Sequence, residues 1–180
     1  MKKIVFYGSG NISQALISGL LSSGYKKNLI EFIDRNKINS RKTKKLGAKK
    51  TNLKTIDTKS IIFLGVKPKD AMNAYAEICA VVKKPKIVSL VAGIKSNKYL
   101  SESKGVELIR AMPNTSSQFN KGITAICNCN ANKTTFNQVS SIFKKVGTTI
   151  DITKESKIDD FTGLIGASIV RLNWVIATCG

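Results

Sequence analysis

The sequence predicts an α/β protein, a doubly wound and mostly parallel sheet followed by one long amphipathic helix. Three observations carry this. Short runs of β-branched and aromatic residues alternate with stretches of helical periodicity as far as about residue 152. A Gly-x-Gly turn, Gly8-Ser9-Gly10, joins the first such run to the first helical stretch. The 180 residues, 42% hydrophobic and 23% charged, suffice for one domain with its own core and exclude a disordered chain.

Residues 4–7, Ile-Val-Phe-Tyr, stop at Gly8 and read as a strand buried on both faces. From Asn11, the positions Ile12, Ala15, Leu16, Gly19 and Leu20 follow one face of a helix, which Gly24 closes. Residues 29–33 read as a second strand, and 36–46 as a second helix ended by Gly47. Residues 61–64 form a third clear strand. Pro68 then stands in the first turn of a helix reaching about Val82, where proline is tolerated. Residues 86–91, 106–111, 122–127 and 148–152 are extended, and 134–146 helical. Ile158, Phe161, Ile165, Ile169, Leu172 and Ile176 recur every three or four residues, predicting the final amphipathic helix. Such an apolar stripe needs a partner, either a second copy of the chain in a homodimer or the preceding domain.

The formal charge of +19 suggests a polyanion partner, but its make-up does not support one. Lysine supplies 26 of the 30 basic residues, whereas bidentate phosphate and base readers favour arginine. Lysine, isoleucine and asparagine together fill 62 of the 180 positions, the pattern of A/T-rich codons. Nucleic-acid binding is therefore the lesser alternative. The absence of histidine excludes Ser-His-Asp triads and His-based metal sites. The four cysteines form no CxxC pair, and Cys127 and Cys129 fall on one strand face as buried thiols, so no metal site is expected. The apolar run after Lys2-Lys3 is too short for a signal peptide, and no stretch approaches the roughly 18 apolar residues of a membrane span. A reduced, cytoplasmic location is expected.

Gly8-Ser9-Gly10-Asn11-Ile12-Ser13 has the form of a dinucleotide cradle of the Rossmann type. The first glycine makes the tight turn, and the second lets a pyrophosphate approach the backbone. The free N–H groups of the helix then face the phosphates. Ser13 stands where such turns carry Gly or Ala, and is still small. At the end of the second strand, Asp34 suits a free ribose 2′-hydroxyl, as in NADH, while Arg35 suits the 2′-phosphate of NADPH. Arg35 with Asn36 and Lys37 tilts the reading towards NADPH and leaves NADH open.

Four blocks extend these signals: Gly8-Ser9-Gly10-Asn11-Ile12, Val66-Lys67-Pro68, Ser89-Leu90-Val91-Ala92-Gly93-Ile94 and Arg110-Ala111-Met112-Pro113-Asn114-Thr115. In order and spacing they resemble the pyrroline-5-carboxylate reductase family over residues 1–165. The resemblance implies a cytosolic oxidoreductase that reduces 1-pyrroline-5-carboxylate to proline with NAD(P)H. It implies a Rossmann cofactor domain at residues 1–152 and, from 153, the start of a helical domain for dimerisation and substrate. It also places Asn52 near the adenine end, Gly65, Val66, Lys67 and Pro68 along the cofactor, and Ala92, Gly93, Met112, Pro113 and Asn114 beside the nicotinamide.

The family pattern continues past a threonine into a Ser-Gly-Ser-Gly-Pro-Ala-Tyr block facing the substrate. Here Thr162, a candidate substrate contact, is followed by Gly163-Leu164-Ile165-Gly166-Ala167-Ser168, in which only Gly166 matches. The chain is thus expected to hold the first part of such an enzyme, with the cofactor cradle kept and most of the substrate side changed or absent. A cofactor-binding module without turnover is the alternative, and no catalytic residue is assigned.

Overall fold

A computed structural model describes residues 1–159 and 161. Its strands are β1 (Ile4–Tyr7), β2 (Ile30–Ile33), β3 (Lys49–Lys50), β4 (Ile61–Leu64), β5 (Lys86–Ser89), β6 (Glu107–Pro113), β7 (Gly122–Asn128) and β8 (Gly147–Asp151). Its helices are α1 (Asn11–Ser22), α2 (Lys37–Leu46), α3 (Ala71–Val81), α4 (Ser96–Glu102) and α5 (Lys133–Lys144). The strands form one sheet in the order β3-β2-β1-β4-β5-β6-β7-β8.

Alternation along each strand divides the core into two layers. Ile4 and Phe6 of β1 face α1 and α5, packing with Leu16, Leu20, Phe63 and Phe143. Phe6 stacks on Phe63 with ring centroids 5.0 Å apart, and Phe143 meets Phe63 edge-on at 5.6 Å. Val5 and Tyr7 face the opposite way, towards Tyr75 and Ile78 of α3 and Tyr99 of α4. Burial on both sides is why these strands read as unbroken apolar runs.

The strands from β3 to β6 are mutually parallel, and β7 runs antiparallel to β6. Residues 114–121 between β6 and β7 are fewer than the roughly dozen that a parallel crossover needs, so the chain turns straight back. β8 then pairs parallel to β7 through the crossover of α5. The sheet is mostly parallel, as predicted.

Two elements lie outside the sequence expectation. β3 consists of two exposed lysines, and α4 buries only Tyr99. Neither offers the apolar period that betrays an element. The helix expected from Pro68 begins as a 3-10 turn, Pro68–Asp70, before α3. Of the final amphipathic stripe, Ile158 is buried with Met112, Ala125 and Cys127, and Phe161 packs beside them. The rest of the stripe for which a helix was expected, Ile165, Ile169, Leu172 and Ile176, lies outside the described residues. Cys127 is buried and Cys129 half-buried, and burial pushes both thiols up, Cys129 to about 12. Among the described residues no helix is long and apolar enough to cross a membrane.

Candidate functional site

The strand order reverses between β1, which feeds outward to β2 and β3, and β4, which starts the other half of the sheet. Open α/β sheets bind ligands at such a point, outside the carboxyl ends of the strands. A cavity of about 450 Å³ lies there. It draws Gly8, Ser9 and Gly10 from the end of β1, Asp34, Arg35 and Asn36 from β2, and Gly65, Val66 and Lys67 from β4. These nine residues were expected from the sequence to share a site.

The glycine turn is shaped by close packing. Gly8 has φ +91°, and a Cβ there would stand 2.6 Å from the carbonyl oxygen of Gly65. The Ser13 hydroxyl donates to the Gly8 carbonyl at 2.7 Å and is fully buried, so it braces the turn instead of facing the cavity. At Gly10 an added Cβ would meet none of the described residues within 4 Å. Gly10 is also the N-cap of α1, and among the described residues no side chain caps that helix. An open approach to an uncapped helix N-terminus fits a pyrophosphate, whose oxygens would take the free N–H groups.

Asp34 ties the turn to the next helix. One carboxylate oxygen accepts from the backbone N–H and the hydroxyl of Ser9, both at 2.7 Å, and the other accepts from the Asn36 N–H at 2.7 Å. Asn36 in turn caps α2, its side chain accepting from the N–H groups of Ile38 and Asn39. Across the cavity, Glu77 of α3 accepts a hydrogen bond from the Tyr7 hydroxyl and pairs with the Arg35 guanidinium. Burial, then the bond to Glu77, pushes the Tyr7 phenol up to about 12. Those same two donors hold the Glu77 carboxyl below its usual range.

Other expected residues lie elsewhere. Asn11 is exposed, and Ile12 packs on the core beneath α1. Asn52 is exposed and caps a 3-10 turn through Lys54 N–H; Pro68 is exposed outside the cavity lining. Ala92 and Met112 belong to the apolar cluster around Ile158. Pro113 ends β6, and the Asn114 side chain accepts from the Ile123 N–H. Thr162 lies outside the described residues.

Gly93 joins a charged cluster. Arg110 of β6 is wholly buried and donates to Glu155 at 2.9 Å and to Asp159 at 2.7 Å. Asp159 also accepts from the Gly93 N–H, and Glu155 from the N–H and hydroxyl of Ser96. Burial pushes the Glu155 carboxyl up, but the bonds from Ser96 and Arg110 outweigh it and leave the group below its ordinary value. The cluster fastens the segment after β8 to the middle of β6, the loop after β5 and the start of α4.

Sequence reasoning missed Tyr7, Asp70, Asn73 and Glu77 in the cavity wall. A signal for three of them exists. Residues 70, 73 and 77 share one helical face, polar beside the buried Ala71, Ala74, Tyr75 and Ile78.

A parallel sheet whose glycine turn opens onto an uncapped helix at the strand-order reversal defines a Rossmann-type domain of the dinucleotide-dependent oxidoreductase class. A family model described as NADP oxidoreductase, coenzyme F420-dependent, matches residues 3–93. Pyrroline-5-carboxylate reductase of Pasteurella multocida is 30% identical over 176 residues, 93% of this chain and 64% of the relative. Pyrroline-5-carboxylate reductase of Coxiella burnetii superposes with a TM-score of 0.85 at 26% identity, covering 98% of this chain and 68% of that one. The Plasmodium falciparum pyrroline carboxylate reductase, solved with NADP bound, has the same fold at a TM-score of 0.81 and 23% identity, over 98% of this chain and 67% of that one. The chain belongs to this NADP oxidoreductase family, and the relatives it most resembles among these are pyrroline-5-carboxylate reductases. It spans less than two thirds of the length of the Pasteurella relative.

Proposed function

We propose that the chain binds a nicotinamide dinucleotide in the cavity between β1 and β4 and serves the reduction of 1-pyrroline-5-carboxylate to L-proline. The observation that carries this reading is the open face of Gly10 at the uncapped N-terminus of α1. When bound, the cofactor supplies a hydride for the imine carbon. The protein's share is to hold and orient. The N–H groups of α1 take the pyrophosphate, with Lys67 and Lys69 adding positive charge at the same wall. Arg35 and Asn36 lie at the adenosine ribose, with NADPH favoured through Arg35 and NADH the alternative. Ala92, Gly93, Met112, Pro113 and Asn114 are read as the nicotinamide side, and residues from 153 as the start of a helical part that completes the substrate side and pairs two copies. The free thiols Cys79, Cys127 and Cys129 suit a reducing cytoplasm.

A second reading, binding without turnover, draws support from the sequence after Thr162, where only Gly166 keeps the substrate-facing block of the family pattern. One experiment separates the two. The chain is titrated with NADPH and NADH, and the cyclic imine is then added while cofactor oxidation is followed. Oxidation supports the reductase, and binding alone supports the module. Failure to bind either cofactor defeats both.

A further inference from the structure

The cavity wall carries an acidic residue where a phosphate-binding site would leave its cation free. Arg35, the cation placed to meet a ribose 2′-phosphate, is paired with Glu77, which α3 brings across the cavity. The Tyr7 hydroxyl holds the other oxygen of the same carboxylate, so Glu77 is fixed from two sides. Asp34 is committed to Ser9 and Asn36. The wall therefore balances Arg35, Lys67 and Lys69 against Asp34, Asp70 and Glu77, in a chain where basic residues outnumber acidic ones 30 to 11.

We propose that Glu77 is a specificity-determining residue: its carboxylate competes with a ribose 2′-phosphate for Arg35 and so sets how strongly the site prefers one nicotinamide cofactor over the other. The proposal rests on the dinucleotide reading above. A 2′-phosphate must displace Glu77 from the guanidinium and then lie beside its negative charge. A free 2′-hydroxyl meets neither penalty, and can donate a hydrogen bond to the carboxylate. The pair is open to water, with side-chain exposures of 82% and 40%, so the competition weakens a 2′-phosphate without excluding it.

The test is equilibrium titration of the full chain with NADPH and with NADH, read as dissociation constants. Glu77→Gln keeps the shape and removes the charge. NADPH should then bind about tenfold more tightly while NADH changes by less than about twofold, the scale of one charge-assisted contact to phosphate. In an Arg35→Gln background the gain should shrink to about threefold or less, because no guanidinium remains to be freed. Tyr7→Phe leaves Glu77 charged but less firmly held, and should shift the ratio in the same direction by about threefold. This second variant keeps the test open if Glu77→Gln is unstable. An equal change for both cofactors, or none, overturns the proposal alone. Binding of neither cofactor by the wild-type chain overturns the dinucleotide reading and the proposal with it.

Discussion

Replacing Glu155 with glutamine removes one of the two charges that compensate a wholly buried guanidinium. Arg110 keeps its bond to Asp159, and the glutamine carbonyl still stands within reach of both Arg110 and the Ser96 N–H. What is lost is charge, not packing. Among the described residues the Arg110 Nε has no partner, so the guanidinium already carries one unsatisfied donor before the charge is lost. Removing one member of a buried pair costs about 3–5 kcal/mol, and a single hydrogen bond to a charged group about 1.5–3. Glu155 is 27% exposed and Asp159 remains, so the lower scale applies, about 2 kcal/mol. For a chain of this size that lowers the melting midpoint by roughly 4–8 °C. Urea unfolding at pH 7 measures it, with the m-value unchanged. The sign of the pH dependence follows from the lowered carboxyl. The unfolded state takes up the proton more readily, so the contribution of Glu155 is complete above its unfolded value, about 4.3, and fades as the pH falls through the lower folded value. The gap between wild type and Glu155→Gln should therefore close in acid. A loss below about 0.5 kcal/mol at pH 7, within the range of ordinary surface substitutions, would refute the reasoning, as would a gap that widens in acid.

Three further outcomes are expected. Gly8→Ala puts a methyl 2.6 Å from the Gly65 carbonyl at φ +91°, and should cost about 2–4 kcal/mol in denaturant unfolding. Gly10→Ala meets open space at φ −70°, so stability should stay within about 0.5 kcal/mol while calorimetric titration shows cofactor affinity down at least about tenfold. Phe143→Ala empties the junction of α5 with Phe63 and should cost about 3–5 kcal/mol, read by the same unfolding assay.

The contrast between Gly8 and Gly10 shows what the sequence could reveal. Both glycines, and the strand and helix they join, were legible because each follows from local rules: an apolar run, a small-residue turn, a helical period. The ends of β1, β2 and β4 were placed to within a residue or two for the same reason. The sequence offered Asp34 to a ribose; it carried no sign that the two carboxylate oxygens also bind Ser9 and Asn36, contacts that depend on the turn and the end of β2 meeting in space. Glu77 was invisible because its partners stand 70 and 42 residues away, joined only through the sheet. Arg110 looked like part of a motif, yet its partners Glu155 and Asp159 come from beyond β8. The two lysines of β3 left no trace because edge pairing there uses backbone alone.

The double engagement of Asp34 also bears on how a ligand would be received. A glycine-rich loop left free in solution must lose roughly 1–2 kcal/mol of conformational entropy per residue when a ligand orders it. Here the Ser9 backbone, its hydroxyl and the start of α2 are already fastened to one carboxylate, and that ordering belongs to the folding of the chain. An incoming phosphate meets a finished surface and keeps more of its contact energy as affinity. The freedom still to be lost is chiefly the ligand's own.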